Sequence, residues 1–241
     1  MSATPSEVPR RERARTATIE EIKATALDLM RETGTTDARF TDIARVMGMT
    51  PPALYRYFSD HDELLTALIT DAYDDLGRTV AESRDSVSET DLGGRWLAAA
   101  EAYRSWARRE PQQFALIFGL PTPGYVAPQE GPTTEAASRA MSQLAALFAE
   151  ANHTGKLRQP IIREVEPAFR RCAEEEAKFS DIPTENFQAM LHAWASLHGF
   201  TCLEAFNHLD WVEPEARDAL FRAQVRLAAK AAGLPAPARV R

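Results

Sequence analysis

The chain has 241 residues, a hydrophobic fraction of 44% and a formal net charge of −7, enough to bury one large core or a small core joined to a larger one. No stretch approaches the roughly 18 uninterrupted apolar residues of a membrane span, and Met1 to Arg15 lacks the apolar run of a secretory signal, so a soluble cytoplasmic protein is the expectation. Cys172 and Cys202 form no C-x-x-C pair, which argues against a disulfide scaffold or thiolate zinc site and predicts two reduced, buried thiols.

An acidic balance argues at first sight against nucleic acid as a partner. Up to Leu65 there are 9 Lys+Arg against 11 Asp+Glu, which leaves 19 against 24 beyond it. Neither part is basic overall, but the distribution is uneven. Arg10, Arg11, Arg13 and Arg15 lie in a segment, 1–17, expected to be a flexible basic arm, whereas Asp60, Asp62 and Glu63 make a later stretch acidic.

In chain order, Ile19, Ile22, Ala26, Leu29 and Met30 recur at helical spacing behind Thr18 and Glu21, which reads as a capping box, and this first helix ends near Gly34. Thr41 is placed to cap a short second helix to Met47, with Gly48 in the turn after it. Thr50 caps a third, with Pro51 in its first turn. The run from Ser59 to Glu63 opens a long fourth helix to about Ala81, with Asp60 and Glu63 spaced as a capping box.

Further helices are expected over 90–109 and 112–118, then 134–151, 160–178 (more weakly), 184–209 and 214–232. The stretch 119–133 holds four prolines and two glycines beyond its first residue's own and reads as a mobile loop. No strand pattern or internal repeat stands out. The fold expected is all-α, with a small helical domain over 18–65, a larger one over 66–233 and a tail over 234–241.

Phe40 to Phe58 has helix-turn-helix grammar: a short helix, a turn containing Gly48 and a second short helix with polar and aromatic tips. The second helix would enter the DNA major groove. There Arg56 donates to a guanine edge, and Pro51, Pro52 and Ala53 offer apolar contact to thymine methyls. Tyr55, Tyr57, the Thr41 hydroxyl and backbone amides at helix starts suit phosphate oxygens, and Thr50 at the start of the second helix is a further DNA-binding candidate. Losing Arg56 is expected to relax base preference, whereas equal losses on specific and random DNA would assign it to phosphate. The plainer reading is that Ala44, Leu54 and Phe58 simply pack a three-helix core.

Through Ile43-Ala44, Gly48, Leu54-Tyr55-Arg56-Tyr57-Phe58 and Leu64-Leu65, the segment from about Thr18 to Leu68 resembles the TetR family of bacterial transcriptional regulators. The resemblance implies a homodimer with one DNA-reading head per subunit, released from its operator when a small molecule binds the C-terminal domain. The family usually has a Lys near the start of the fourth helix, and His61 stands there in this chain. A neutral imidazole adds no charge, so weaker or more pH-dependent DNA binding is expected.

Trp194, His198-Gly199 and Leu203-Glu204, with Pro111 to Gly119 and Pro123-Gly-Tyr125 upstream, resemble a TetR subgroup whose ligand domain is marked by Trp-His-Gly. Between Phe187 and Leu209 an apolar stripe runs beside a stripe of small residues. Ala189, Ala193, Ser196, Gly199 and Leu203 are therefore candidate dimer contacts, with the helix over 214–232 completing a four-helix interface. Trp96, Tyr103, Trp106, Phe114, Phe118, Phe148, Phe169 and Trp194 are candidates for an apolar effector pocket, although aromatic residues at this spacing also build plain helical cores.

His198 reads as a hydrogen-bonded core or interface residue rather than a metal ligand, and Glu204 with His208 at i,i+4 does not make a metal site. No cofactor is expected. With no G-x-S-x-G, H-E-x-x-H, P-loop or Rossmann glycine run, an enzyme is a poor second reading. An activator, a binding module with weakened DNA affinity and a purely structural bundle stand as rival readings of the same residues.

Overall fold

The computed structural model describes residues 10–119, 125 and 130–238, with 176–180 as backbone only. Ten helices and no strand are found among these residues: α1 (Arg10–Thr33), α2 (Phe40–Val46), α3 (Pro51–Leu54), α4 (His61–Asp85), α5 (Leu92–Arg109), α6 (Pro111–Phe118), α7 (Pro132–His153), α8 (Pro167–Ser180), α9 (Thr184–Ala205) and α10 (Pro214–Ala232). They form two compact units, one of 1–72 with 112–135 and one of 73–111 with 136–241.

The first unit extends beyond the boundary expected after residue 65 and takes in the segment after α5. Its core follows from helical periodicity: Ile22, Ala26 and Met30 fall on one face of α1 and meet Ile43, Ala44, Leu54, Phe58, Leu64, Leu65 and Leu68. Leu116 and Tyr125 pack on this same core, and the Tyr125 hydroxyl lies 3.0 Å from Thr66 Oγ1. Most of the expected 119–133 loop falls outside the described residues, while Pro132 and Thr133 already belong to α7.

Several helix starts differ from the sequence expectation. α1 begins at Arg10, so part of the expected flexible arm is helical. Thr18 is an interior residue whose hydroxyl donates to the Ala14 carbonyl, not a cap. Arg, Glu and Ala are good helix formers and carry the helix through the apparent cap. Thr41 likewise lies inside α2, whose N-cap is Arg39, and Thr50 occupies the N-cap of α3 without a side-chain bond. The expected start of α4 is found: Asp60 Oδ1 accepts from the Glu63 amide at 2.8 Å, and Glu63 reaches back to the Ser59 amide.

In the second unit α9 is the central helix, packed against α5, α8 and α10. The core there gathers Trp96, Phe148, Met190, Leu197, Phe221 and Val225. Ala189 and Ala193 lie in it at 6% and 4% exposure, so these two candidate dimer contacts face inward. Small side chains let helices approach closely, and here they serve packing within one subunit. The 160–178 helix begins only at Pro167, because the preceding chain turns its amides to the end of α10: Arg158 N–H donates to the Gly233 carbonyl and Ile161 N–H to that of Ala231. α10 has its expected limits, with Pro214 at its start and Gly233 closing it at φ 85°. Both thiols are free, but Cys172 is exposed rather than buried and Cys202 is half-buried.

Candidate nucleic-acid interface

The geometry of the first unit rests on α2, the turn and α3. Gly48 has φ +64° with open space around its missing side chain, so its role is conformational: it supplies a left-handed residue where the chain reverses. Leu54 and Phe58 anchor α3 at 1% and 4% exposure. Tethering on that side forces the opposite side outward, and Thr50, Pro51, Pro52, Tyr55 and Arg56 form an exposed ridge with Ala53 and Tyr57 half-buried at its flank. Thr41, in the first turn of α2, is also exposed.

Such a ridge of hydroxyl, apolar and guanidinium tips is suited to a groove: apolar atoms meet thymine methyls, while hydroxyl and guanidinium donors meet base edges or phosphate oxygens. Tyr55 is braced from below by the buried Phe40 ring, centroid to centroid 5.1 Å. His61 also neighbours Phe40, at 6.1 Å, and its Nε2 lies 3.2 Å from Asp37 Oδ1. That acidic partner, visible only in three dimensions, leaves one His61 ring nitrogen engaged within the unit.

The eight pocket candidates do not share one environment. Trp96 and Phe148 meet edge to face at 6.4 Å in the core of the second unit, and the buried Trp106 donates its indole N–H to Asp75 at 2.7 Å. Phe114 and Phe118 belong to the first unit, 5.3 Å apart by centroids. Phe169 stacks on Phe187 at 6.5 Å. Tyr103 and Trp194 are brought together through His198: its Nδ1 lies 2.7 Å from the Tyr103 hydroxyl, and its ring stacks on Trp194 at 5.2 Å. Cys202 Sγ closes the group 3.3 Å from His198 Nε2.

Burial favours the neutral form of each titrating member of that group: it holds His198 below the usual imidazole range and pushes the Cys202 thiol up, and with nearby Cys202 and Tyr73 it raises Tyr103. The group is therefore a neutral polar cluster flanked by an indole. Glu204 accepts two bonds from the Arg104 guanidinium, at 2.5 and 2.6 Å, inside the second unit. Sequence reasoning had no signal for this pair, whose members are 100 residues apart. No group of three or more His, Cys, Asp or Glu side chains suited to a metal is found among the described residues. No described helix is long and apolar enough to cross a membrane.

A two-helix reading head built on a three-helix core, in a chain with a second all-helical unit, defines a helix-turn-helix DNA-binding protein. Residues 22–68 match the profile of the bacterial regulatory proteins of the tetR family, and residues 96–228 that of the tetracyclin repressor-like C-terminal domain. The chain is 33% identical over 219 residues to the HTH-type transcriptional regulator Rv1816 of Mycobacterium tuberculosis, covering 86% of this chain and 91% of that one. The solved structure of the regulatory protein SCO4313 is similar with a TM-score of 0.72 and 32% identity, over 92% of this chain and 98% of that one. The TetR family regulator PfmR of Thermus thermophilus shares the fold at a TM-score of 0.52 and 17% identity, over 89% and 98% of the two chains. The chain belongs to the TetR family of DNA-binding transcriptional regulators.

Proposed function

We propose that the protein is a cytoplasmic homodimeric repressor that holds a palindromic operator and leaves it when a small hydrophobic effector binds the second unit. The observation that carries this reading is the ridge of Thr50, Pro51, Pro52, Tyr55 and Arg56, held outward by the buried Leu54 and Phe58. Thr41, Tyr57 and His61 flank it as backbone contacts. In a two-fold dimer, two such ridges about 34–36 Å apart enter successive major grooves.

The effector site includes Tyr103, Trp194 and His198, which offer an aromatic wall and neutral hydrogen-bonding tips to an uncharged or aromatic molecule. Trp194 and His198 also carry the likeness to the Trp-His-Gly subgroup, to which we assign the second unit. α4 begins in the first unit and ends in the second, so an effector that prefers one setting of this helix changes operator affinity by its differential binding, typically about 1–3 kcal/mol.

Dimerisation is assigned to the outward faces of α9 and α10. On α9 these are Ala195, Gly199 and Leu203; on α10 they are Ala219, Leu220, Ala223 and Leu227. Of the sequence candidates, Gly199 and Leu203 remain on this face. Ser196 lies at its edge, where it accepts a bond from Gln224. Deleting the gene should raise transcription of the adjacent operon, as measured by transcript level. A fall in transcription would make the protein an activator and overturn the repressor reading.

A further inference from the structure

The first turns of α1 project beyond the core residue Ile22, and their outer residues Arg10 to Thr16 are all exposed. They are not featureless. Arg15 Nη1 donates to the Arg56 carbonyl at 2.8 Å, and its guanidinium lies 5.4 Å above the Tyr57 ring. This links α1 to the residues that follow α3, and a cation there suits the carbonyl end of a helix. An open cleft of about 720 Å³ results, lined by Arg11, Glu12, Ala14, Arg15, Thr18, Arg56 and Tyr57. Arg11 and Arg15, four residues apart, share the face of α1 that looks into it. The Arg11 and Arg56 side chains make no hydrogen bond or ion pair among the described residues.

We propose that this cleft is a clamp for the DNA sugar-phosphate backbone, with Arg11, Arg15 and Arg56 as its cations, and that Arg56 therefore reads phosphate rather than guanine. Three guanidiniums against the single carboxylate of Glu12 leave the cleft cationic although the chain as a whole carries −7. A fork of donors on each arginine matches phosphate oxygens, and the Tyr57 hydroxyl adds a neutral donor at the wall. The exposed continuation of α1 extends the footprint beyond the helix-turn-helix.

The inference rests on the DNA-binding reading, and its test separates the two. Binding is titrated at several salt concentrations on the DNA flanking the protein's own gene and on a random duplex of equal length, for wild type, Arg11→Ala, Arg11→Lys and Arg56→Ala. The clamp predicts that each alanine variant weakens both duplexes by the same factor and lowers the slope of log affinity against log salt by about 1. Arg11→Lys should restore the slope, and Glu12→Gln should tighten both duplexes. Unchanged slopes in Arg11→Ala and Arg56→Ala, or a loss for Arg56→Ala confined to the specific duplex, would overturn the clamp. A wild type that binds both duplexes equally would sink the operator reading alone, because the slope change is still read on random DNA.

Discussion

Arg104→Ala is expected to lower the unfolding free energy by about 3–5 kcal/mol, because it leaves a carboxylate buried without its cation. Arg104 and Glu204 side chains are 8% and 6% exposed, and the guanidinium also reaches Asp218 at 2.8 Å. It lies 4.7 Å from the Phe221 ring centroid, so truncation loses packing as well as charge. The next cation, Arg217, is 3.9 Å from Glu204 and shared with Asp210, so it compensates only in part. The geometry joins α5, α9 and α10 at one point, and two of these helices carry the proposed dimer face.

Urea denaturation of the wild type and variant, with the slope against denaturant held in common, reads the effect. Arg104→Met combined with Glu204→Leu should recover most of the loss, since a buried pair replaced by apolar residues is often neutral or better. A loss below about 1 kcal/mol for Arg104→Ala would place the pair in the class of solvent-screened bridges and contradict its assigned burial.

The second large effect concerns assembly. Leu203, Leu220 and Leu227 are 46%, 49% and 58% exposed, beside Gly199, whose missing side chain faces open space. Exposed leucines on two adjoining helices cost solvation unless a partner covers them, and the small residues between them permit close approach of a second copy. The double variant Leu203→Glu/Leu227→Glu is therefore expected to sediment as a monomer. Its affinity for a full palindrome should fall by about 10²–10⁴, because the second head loses its tether, while affinity for a half-site stays as it was. A double variant that remains a dimer would move the interface off α9 and α10.

How far the sequence could be read depended on whether the decisive partner was local. α10 was legible from Pro214 to Ala232 because the helical spacing that marks it lies within the segment itself. The helix-turn-helix was legible for the same reason: its core residues and Gly48 lie within one short stretch. Thr18 misled because a threonine followed three residues later by Glu21 has the local pattern of a cap, yet the chain before it sustains a helix.

The small-residue stripe of α9 illustrates the complementary limit. Spacing showed that Ala189 and Ala193 allow close approach but could not say to which helix, and they sit in the core of their own subunit. Glu204 invited comparison with His208 one turn away, while its actual partner Arg104 comes from α5. The Arg15 contact to Arg56 is of the same kind, spanning 41 positions. Among the pocket candidates, spacing could not separate the core indole Trp96 from Trp194, which stacks on His198.

Operator recognition by the α3 ridge is the step on which the proposed repressor function depends. Its most direct test is a gel-shift titration at stated salt on the DNA flanking the protein's own gene, with Tyr55→Ala beside the wild type. A sharp, sequence-dependent shift is expected for the wild type, lost or strongly weakened in Tyr55→Ala while the variant keeps its fold. A wild type that shifts this DNA no better than random sequence, or a Tyr55→Ala that shifts it equally well, would contradict it.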